Sequence, residues 1–171
     1  KEKMQILPIK NRVFRENEDL SSFILKYYKK IPENSILVIT SKIVALAEGR
    51  TVLIDKNLSR EEMRTRIIKK ESDFMIRTKY TWLTIKDGMV MASAGVDESN
   101  ADGKMVLLPK DSFKSAEFLR KALRKKFKIK NLGILITDSR LMPLRAGVVG
   151  VALGYAGFGG IRDYRGTKDI F

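Results

Sequence analysis

No cysteine and no histidine occur among the 171 residues. Without thiols the chain has no disulfide, no zinc ribbon and no cysteine nucleophile. Without imidazole it has no Ser-His-Asp triad and no histidine general base. A metal would have to be held by oxygen ligands, which selects Mg²⁺, Mn²⁺ or Ca²⁺ over zinc or copper. Long apolar runs are also missing, and no stretch approaches the roughly 18 residues of a membrane span. Lys1-Glu2-Lys3 leads straight into Met4–Ile9, which is expected to be a first strand, so no targeting segment is expected and cytoplasm is the expected location.

Acidic residues are outnumbered. Lys and Arg total 34 against 20 for Asp and Glu, a net charge of +14. That excess favours anionic partners, from nucleotides and nucleic acid to polyglutamates and acidic lipids, without choosing among them. Apolar residues make up 44% and charged residues 32%, which excludes a disordered chain. The length suits one domain, or one domain with a small appendage.

The most informative stretch is Ala94-Gly95-Val96-Asp97-Glu98-Ser99-Asn100. Before it, Thr81–Lys86 and Met89–Ala92 flank Asp87-Gly88, a strong hairpin signal. The second strand is expected to deliver Asp97, Glu98 and Asn100 at its end. For an isolated D-E-S-N a solvated loop is the default. A second stretch changes that weighting: Leu132–Thr137 reads as a buried strand ending in Asp138-Ser139. Two strands that each end in an Asp beside hydroxyls or amides suit a hard-metal, phosphate-handling site.

In chain order, Lys10 to Arg15 is a basic loop, either a solvated turn or a phosphate contact. Asn17 is expected to cap a helix whose Leu20, Phe23, Ile24, Tyr27 and Tyr28 share one face. Ser35–Thr40 reads as a buried strand running into Ser41-Lys42, which begin a short helix stopped by Gly49. A helix start favours an anion and Lys42 adds a full charge, although Ser41 as an ordinary cap is the plainer reading. Thr51–Ile54 is a short strand. Ser59 with Glu62 forms a capping box for a helix reaching about Ser72, with Met63, Ile67 and Ile68 inward. Met105–Leu108 reads as an edge strand. Asp111-Ser112 caps a long helix that turns Ala116, Leu119, Ala122, Leu123 and Phe127 inward and a Lys/Arg-rich face outward. Pro143-Leu144-Arg145 precedes the glycine-rich run Ala146–Gly160, whose glycines suit close backbone packing and lack the context of a phosphate loop.

Taken together, S-K-I-V-x-x-A-E-G-R, A-G-V-D-E-S-N, L-L-P-K-D-S, I-T-D-S-R and the R-A-G-V-V-G-V-A-L-G run to D-Y-R-G resemble, in order, one family over nearly the whole chain. This is the gamma-glutamyl ligase family of the deazaflavin coenzyme F-420, the CofE-like ligases, with wording closest to bacterial members labelled as folate-metabolism gamma-glutamate ligases. The resemblance implies an α/β (mixed α+β) fold of mixed sheets with packed helices, in a homodimer. It implies a ligase that joins L-glutamate to a small carboxylate acceptor using GTP, Mg²⁺ or Mn²⁺, and K⁺. Carried over by position, Asp97 and Asp138 would be metal ligands and Ser139 a ligand of a second metal. Asn100, Ser41, Lys42 and the loop Arg12, Val13, Phe14 and Arg15 would contact the nucleotide. Two departures stand out. Leu46 occupies a place where many members have Lys, and the family's pattern runs on past D-Y-R-G to a glycine/glutamate motif for metal and phosphate. Residues 1–171 therefore read as one CofE-like ligase domain without that C-terminal segment.

Elementary chemistry agrees. Amide formation from a carboxylate needs activation, most simply as an acyl phosphate, and phosphoryl transfer asks the protein for metal ligands, cations and alignment. Lys42, Arg140 and Arg145 are the candidate cations, with Arg140 and Arg145 assigned to catalysis. Two other classes compete. A basic nucleic-acid-binding module would need aromatics among the exposed cations, and the aromatics are expected on core faces instead, so neither specific nucleic-acid nor membrane binding is expected. A catalytically inactive ligand-binding relative is the other alternative.

Overall fold

The computed structural model describes residues 4–55, 57–98 and 103–168. Their elements are α1 (Leu20–Tyr27), β1 (Ser35–Thr40), α2 (Ser41–Ala47), β2 (Thr51–Leu53), α3 (Arg60–Glu71), β3 (Phe74–Arg77), β4 (Trp82–Lys86) and β5 (Met89–Ala92). A one-turn 3-10 helix (Ser93–Gly95), β6 (Lys104–Val106), α4 (Ser112–Phe127), β7 (Leu132–Leu141) and β8 (Val148–Ala156) follow. The strands form three sheets, ordered β1-β7-β8, β2-β6 and β3-β4-β5. The fold is mixed α and β, as the sequence implies. Among the described residues no helix is long and apolar enough to cross a membrane.

The largest sheet positions the site. β1 pairs with β7 in parallel, Ser35 opposite Leu132 through Thr40 opposite Thr137, and β8 pairs with β7 antiparallel. The inward side chains Leu37, Ile39, Ile134 and Ile136 meet Ala116, Leu119 and Leu123 of α4 in the main core. α4 can lie this close because β8 carries Gly154: a Cβ there would run into the backbone of Ser112 and Phe113. A second cluster, Met63 and Ile68 of α3 with Ala94, Val96, Met105 and Leu107, sits under the stretch that carries Asp97.

Local chemistry explains the helix ends. Asp111 accepts from the Lys114 amide at 2.9 Å to cap α4, and Ser59 with Glu62 closes the capping box of α3. The hairpin β4-β5 turns through Asp87 and Gly88, both at positive φ, with Lys86 opposite Met89. Such a turn matches the twist of its strands.

Several expectations are corrected. Met4–Ile9 forms no strand; Met4, Ile6 and Leu7 are exposed, and among the described residues no strand pairs with this segment. The cap of α1 is Asp19, which accepts from the Ser22 amide at 2.7 Å, and not Asn17. Asn17 instead takes positive φ and donates its amide to the Leu46 carbonyl. β1 is buried on one face only: it lies at the edge of its sheet, with Ile36 and Val38 exposed. β3, which periodicity did not mark, pairs with β4. The strand before the focal stretch ends at Ala92, and the 3-10 turn intervenes before Asp97. Asp138 and Ser139 lie inside β7, which runs on to Leu141, and not at its end.

Candidate active site

A β-strand places alternate side chains on one face. Beyond the buried Ile134 and Ile136, β7 therefore carries Asp138 and Arg140 on the same side, with Ser139 on the other. A register shift against β8 between Ile136 and Thr137 falls just before them and leaves Leu153 of β8 without a partner in the ladder, a bulge that bends the strand carrying it. Asp138 takes two partners. The Ser41 hydroxyl donates to Oδ1 at 3.1 Å, and Arg140 donates to Oδ2 from Nη2 at 3.0 Å and from Nε at 3.3 Å. Ser41 is 3% exposed and is the first residue of α2. The preceding Thr40 takes the cap position without a side-chain bond, so Ser41 is not a cap and its hydroxyl is committed to Asp138.

Asp97 arrives from the other direction. Its amide donates to the Val106 carbonyl at 2.9 Å and its carbonyl accepts from the Val106 amide at 2.8 Å, a bridge that extends the β2-β6 sheet. Its carboxylate pairs with Lys42, the second residue of α2. α2 has only seven residues, so side chains and not a helix dipole are what it contributes here. Met91, Ala92, Gly95, Val96, Asp97, Asp138, Ser139, Arg140 and Leu141 line one cavity of about 280 Å³. Both aspartates line this space and each has a cation of its own: Arg140 lines the cavity beside Asp138, while Lys42, like Ser41, reaches its aspartate from outside the lining. Arg140 further reaches the Met91 sulfur at 3.8 Å, tying β7 to β5.

Other expected residues fall elsewhere. Arg12 pairs with Glu18 at 2.7 Å and lies 5.0 Å from the Phe23 ring centroid. Phe14 is 5% exposed and packs edge-on against Phe23, so its side chain serves the core, while Val13 is exposed. Arg15 donates its amide to Glu18. The neighbouring Glu16 fixes this loop to β2 and β6: hydrogen bonds from Lys104 and then Thr51 hold its carboxyl below the ordinary glutamate value. Neither the loop nor Arg145, exposed between β7 and β8, lines the cavity. Asn100 lies outside the described residues. Glu98, expected beside Asp97 at the strand end, is held by Arg60 at 2.5 Å and Arg64 at 3.4 Å and does not line the cavity. Sequence reasoning missed the positive φ of Ser93 and Ala94, since neither residue type advertises a left-handed turn.

The sequence pattern described as F420-0:Gamma-glutamyl ligase matches residues 8–171. The chain belongs to this family. It is an enzyme of the ligase class. Among its relatives, the Coenzyme F420:L-glutamate ligase of Methanopyrus kandleri is 31% identical, over 99% of this chain and 72% of its own. The protein of that name from Methanococcus maripaludis strain C7 is 34% identical over 99% and 73%. That of Methanocaldococcus jannaschii is 30% identical over 100% and 74%. All the motifs that carried the resemblance lie within the matched residues of this gamma-glutamyl ligase family.

The family implies a divalent metal, and the donors can be tested for it. Among the described residues no three Asp or Glu converge on one point. Two carboxylates do border one cavity, and the Ser41 hydroxyl is bonded to one of them. Mg²⁺ is usually held by one or two carboxylates together with substrate phosphates. This set fits such an ion, and only when the phosphates supply the remaining ligands and draw Lys42 and Arg140 off the aspartates.

Proposed function

We propose that the chain is a GTP-dependent gamma-glutamyl ligase that joins L-glutamate to a small carboxylate acceptor through an acyl phosphate. The observation that carries this reading is the cavity lined by Asp97 and Asp138, each of which is paired with a cation, Lys42 or Arg140. Carboxylates suit a divalent ion and cations suit phosphate, so a metal-nucleotide complex exchanges both ion pairs for better-matched ones.

In the first step an acceptor carboxylate oxygen attacks the γ-phosphorus. The bond from that phosphorus to its bridging oxygen breaks, and GDP leaves. Lys42 and Arg140 are placed to offset charge on the transferring group, while Ser41 and Arg140 hold Asp138 in position. In the second step the glutamate amine attacks the acyl carbon; the carbon–oxygen bond breaks, and phosphate leaves with its electron pair and takes the proton that the amine gives up. Mg²⁺ or Mn²⁺, held by Asp97 and Asp138, would supply charge neutralisation across the β- and γ-phosphates. The nucleotide roles of Arg12, Val13, Phe14, Arg15 and Asn100, the catalytic role of Arg145, the second-metal role of Ser139, K⁺, GTP over ATP and the homodimer rest on the family resemblance alone. The relatives' name puts a coenzyme F-420 precursor first among acceptors and a folate-like carboxylate second.

Hydroxylamine in place of glutamate tests the reading, because it traps an acyl phosphate as a stable hydroxamate. The expected result is hydroxamate that needs GTP, divalent metal and one member of a panel of carboxylate acceptors together. GTP turnover that ignores every acceptor, or no turnover with any of them, would overturn it.

A further inference from the structure

Three consecutive residues before Asp97 are left-handed: Ser93 at φ 51°, Ala94 at φ 51° and Gly95 at φ 72°. Glycine takes this conformation freely, but a residue with a Cβ pays for it and keeps it only where its surroundings fix it. Here they do. Ser93 and Ala94 are buried, and the Ala94 amide donates to Thr84 Oγ1 at 2.8 Å, which itself donates to the Met91 carbonyl at 2.7 Å. Ser93 Oγ meets Thr81 Oγ1 at 3.0 Å and accepts from Arg64 Nη2 at 3.2 Å. Gly95 has no room for a side chain, since a Cβ would meet Leu108 at 2.6 Å.

Arg64 is bound on both sides of Asp97. Its Nη2 grips Ser93 before the turn, and its Nε lies 3.4 Å from Glu98 Oε1 after it. That Nε is buried and has no hydrogen bond, so the ion pair with Glu98 is its compensation. Neighbouring residues in extended backbone point to opposite sides. With Glu98 pulled toward α3 by Arg64 and Arg60, Asp97 is turned the other way, to Lys42 and the cavity. We infer that Arg64 is a positioning residue: it clamps the left-handed turn and Glu98 so that Asp97 is presented to the site in one orientation. The inference rests on the proposed role of Asp97 as a metal ligand.

Two readouts separate the clamp from that role. In metal-free protein, Arg64→Met should speed amide exchange at Asp97 and Val106 roughly tenfold, the scale of one charge-assisted hydrogen bond, with Ile134 and Ile136 unchanged. In the GTP complex it should weaken Mn²⁺ binding about tenfold or more, as loss of a ligand's supporting contact does. Arg64→Lys keeps the charge but lacks the fork that spans both partners, so both effects should be present and smaller. Unchanged exchange in Arg64→Met overturns the clamp. If that variant does not fold, Arg64→Lys decides, and exchange at Asp97 equal to the parent protein overturns it. Faster exchange in protein whose GTP binding never depends on Mn²⁺ keeps the clamp and removes the metal role of Asp97.

Discussion

Asp138 separates a metal ligand from a structural hydrogen-bond acceptor, because Asn keeps the shape and one acceptor but loses the charge. In Asp138→Asn the amide oxygen can still accept from Ser41, while the amide nitrogen cannot receive the guanidinium of Arg140. Arg140 is 8% exposed at its side chain, so the variant leaves a buried cation without its carboxylate. A loss on the order of 1–3 kcal/mol in stability follows from that alone. The fold should survive, with a thermal midpoint lower by a few degrees. Metal-dependent GTP binding should vanish in the same variant, which a mere acceptor role would not require. Calorimetry of GTP with and without Mn²⁺, beside thermal unfolding, reads both effects, and metal-dependent binding that survives removes the metal role of Asp138. The sequence made Asp97, Asp138, Ser41, Lys42 and Arg140 legible because each follows an apolar run that a fold buries. Their pairings were not legible, since Lys42 with Asp97 and Ser41 with Asp138 are made by tertiary contacts. Phe14 entered the nucleotide loop through the family resemblance; that its ring packs on Phe23 is a tertiary contact the sequence does not show.

Elements were readable where local chemistry decides them and opaque where a partner does. The Asp87-Gly88 hairpin, the capping box of α3 and the Asp111 cap of α4 are written in adjacent residues, and all formed. Met4–Ile9 and β3 have comparable short apolar runs, yet only β3 found a strand to pair with. One tie between elements yields a pH prediction. Glu71 ends α3, and its carboxylate receives Lys86 of β4 at 3.0 Å and Arg50, beside β2, at 2.6 Å. Burial pushes this carboxyl up, but Lys86 and Arg50 together outweigh it, and the net result lies below the ordinary value of 4.5. A lowered folded value means that the stabilisation is complete above about pH 4.5 and is lost as pH falls through the folded value. Glu71→Gln should therefore lower the unfolding midpoint at neutral pH. The gap between parent and variant should close in acid, below the ordinary range. Thermal unfolding of both proteins across that range is the measurement, and a gap that does not change with pH would exclude the ion pairs as its cause.

At the scale of the whole molecule the question is what the charge of +14 serves. Lys121, Lys125, Lys126 and Lys128 stand exposed on and just past α4, and of the acids there Glu117 approaches Lys121 at 3.6 Å. A surface of this kind attracts any polyanion. Binding single strands tightly takes more, namely aromatic platforms set in a row along a charged groove. The expectation that aromatics keep to core faces holds for Phe23, which is buried and packs against Phe14. It fails for Phe118, Tyr80 and Tyr164, which are 72%, 85% and 62% exposed, and for Phe74 and Phe113, each 54% exposed. Tyr80 and Tyr164 are covered by cations of their own neighbours, Lys79 at 5.4 Å and Arg162 at 4.9 Å, and lie on separate segments. Phe113 is already packed edge-on against Tyr155 at 5.2 Å, and Phe74, Tyr80, Phe118 and Tyr164 lie on different segments, so these exposed rings set no row of platforms. Nucleic acid should accordingly bind weakly at low salt through phosphate contacts alone, without preference between single strand and duplex. Because such binding is driven by counterion release, it should fall by orders of magnitude as salt rises to the physiological range. Fluorescence anisotropy of labelled single strand and duplex along a salt series measures both properties. Tight binding that persists at physiological salt, with a preference for one form, would mean that the positive surface has a nucleic-acid partner beyond the ligase reaction.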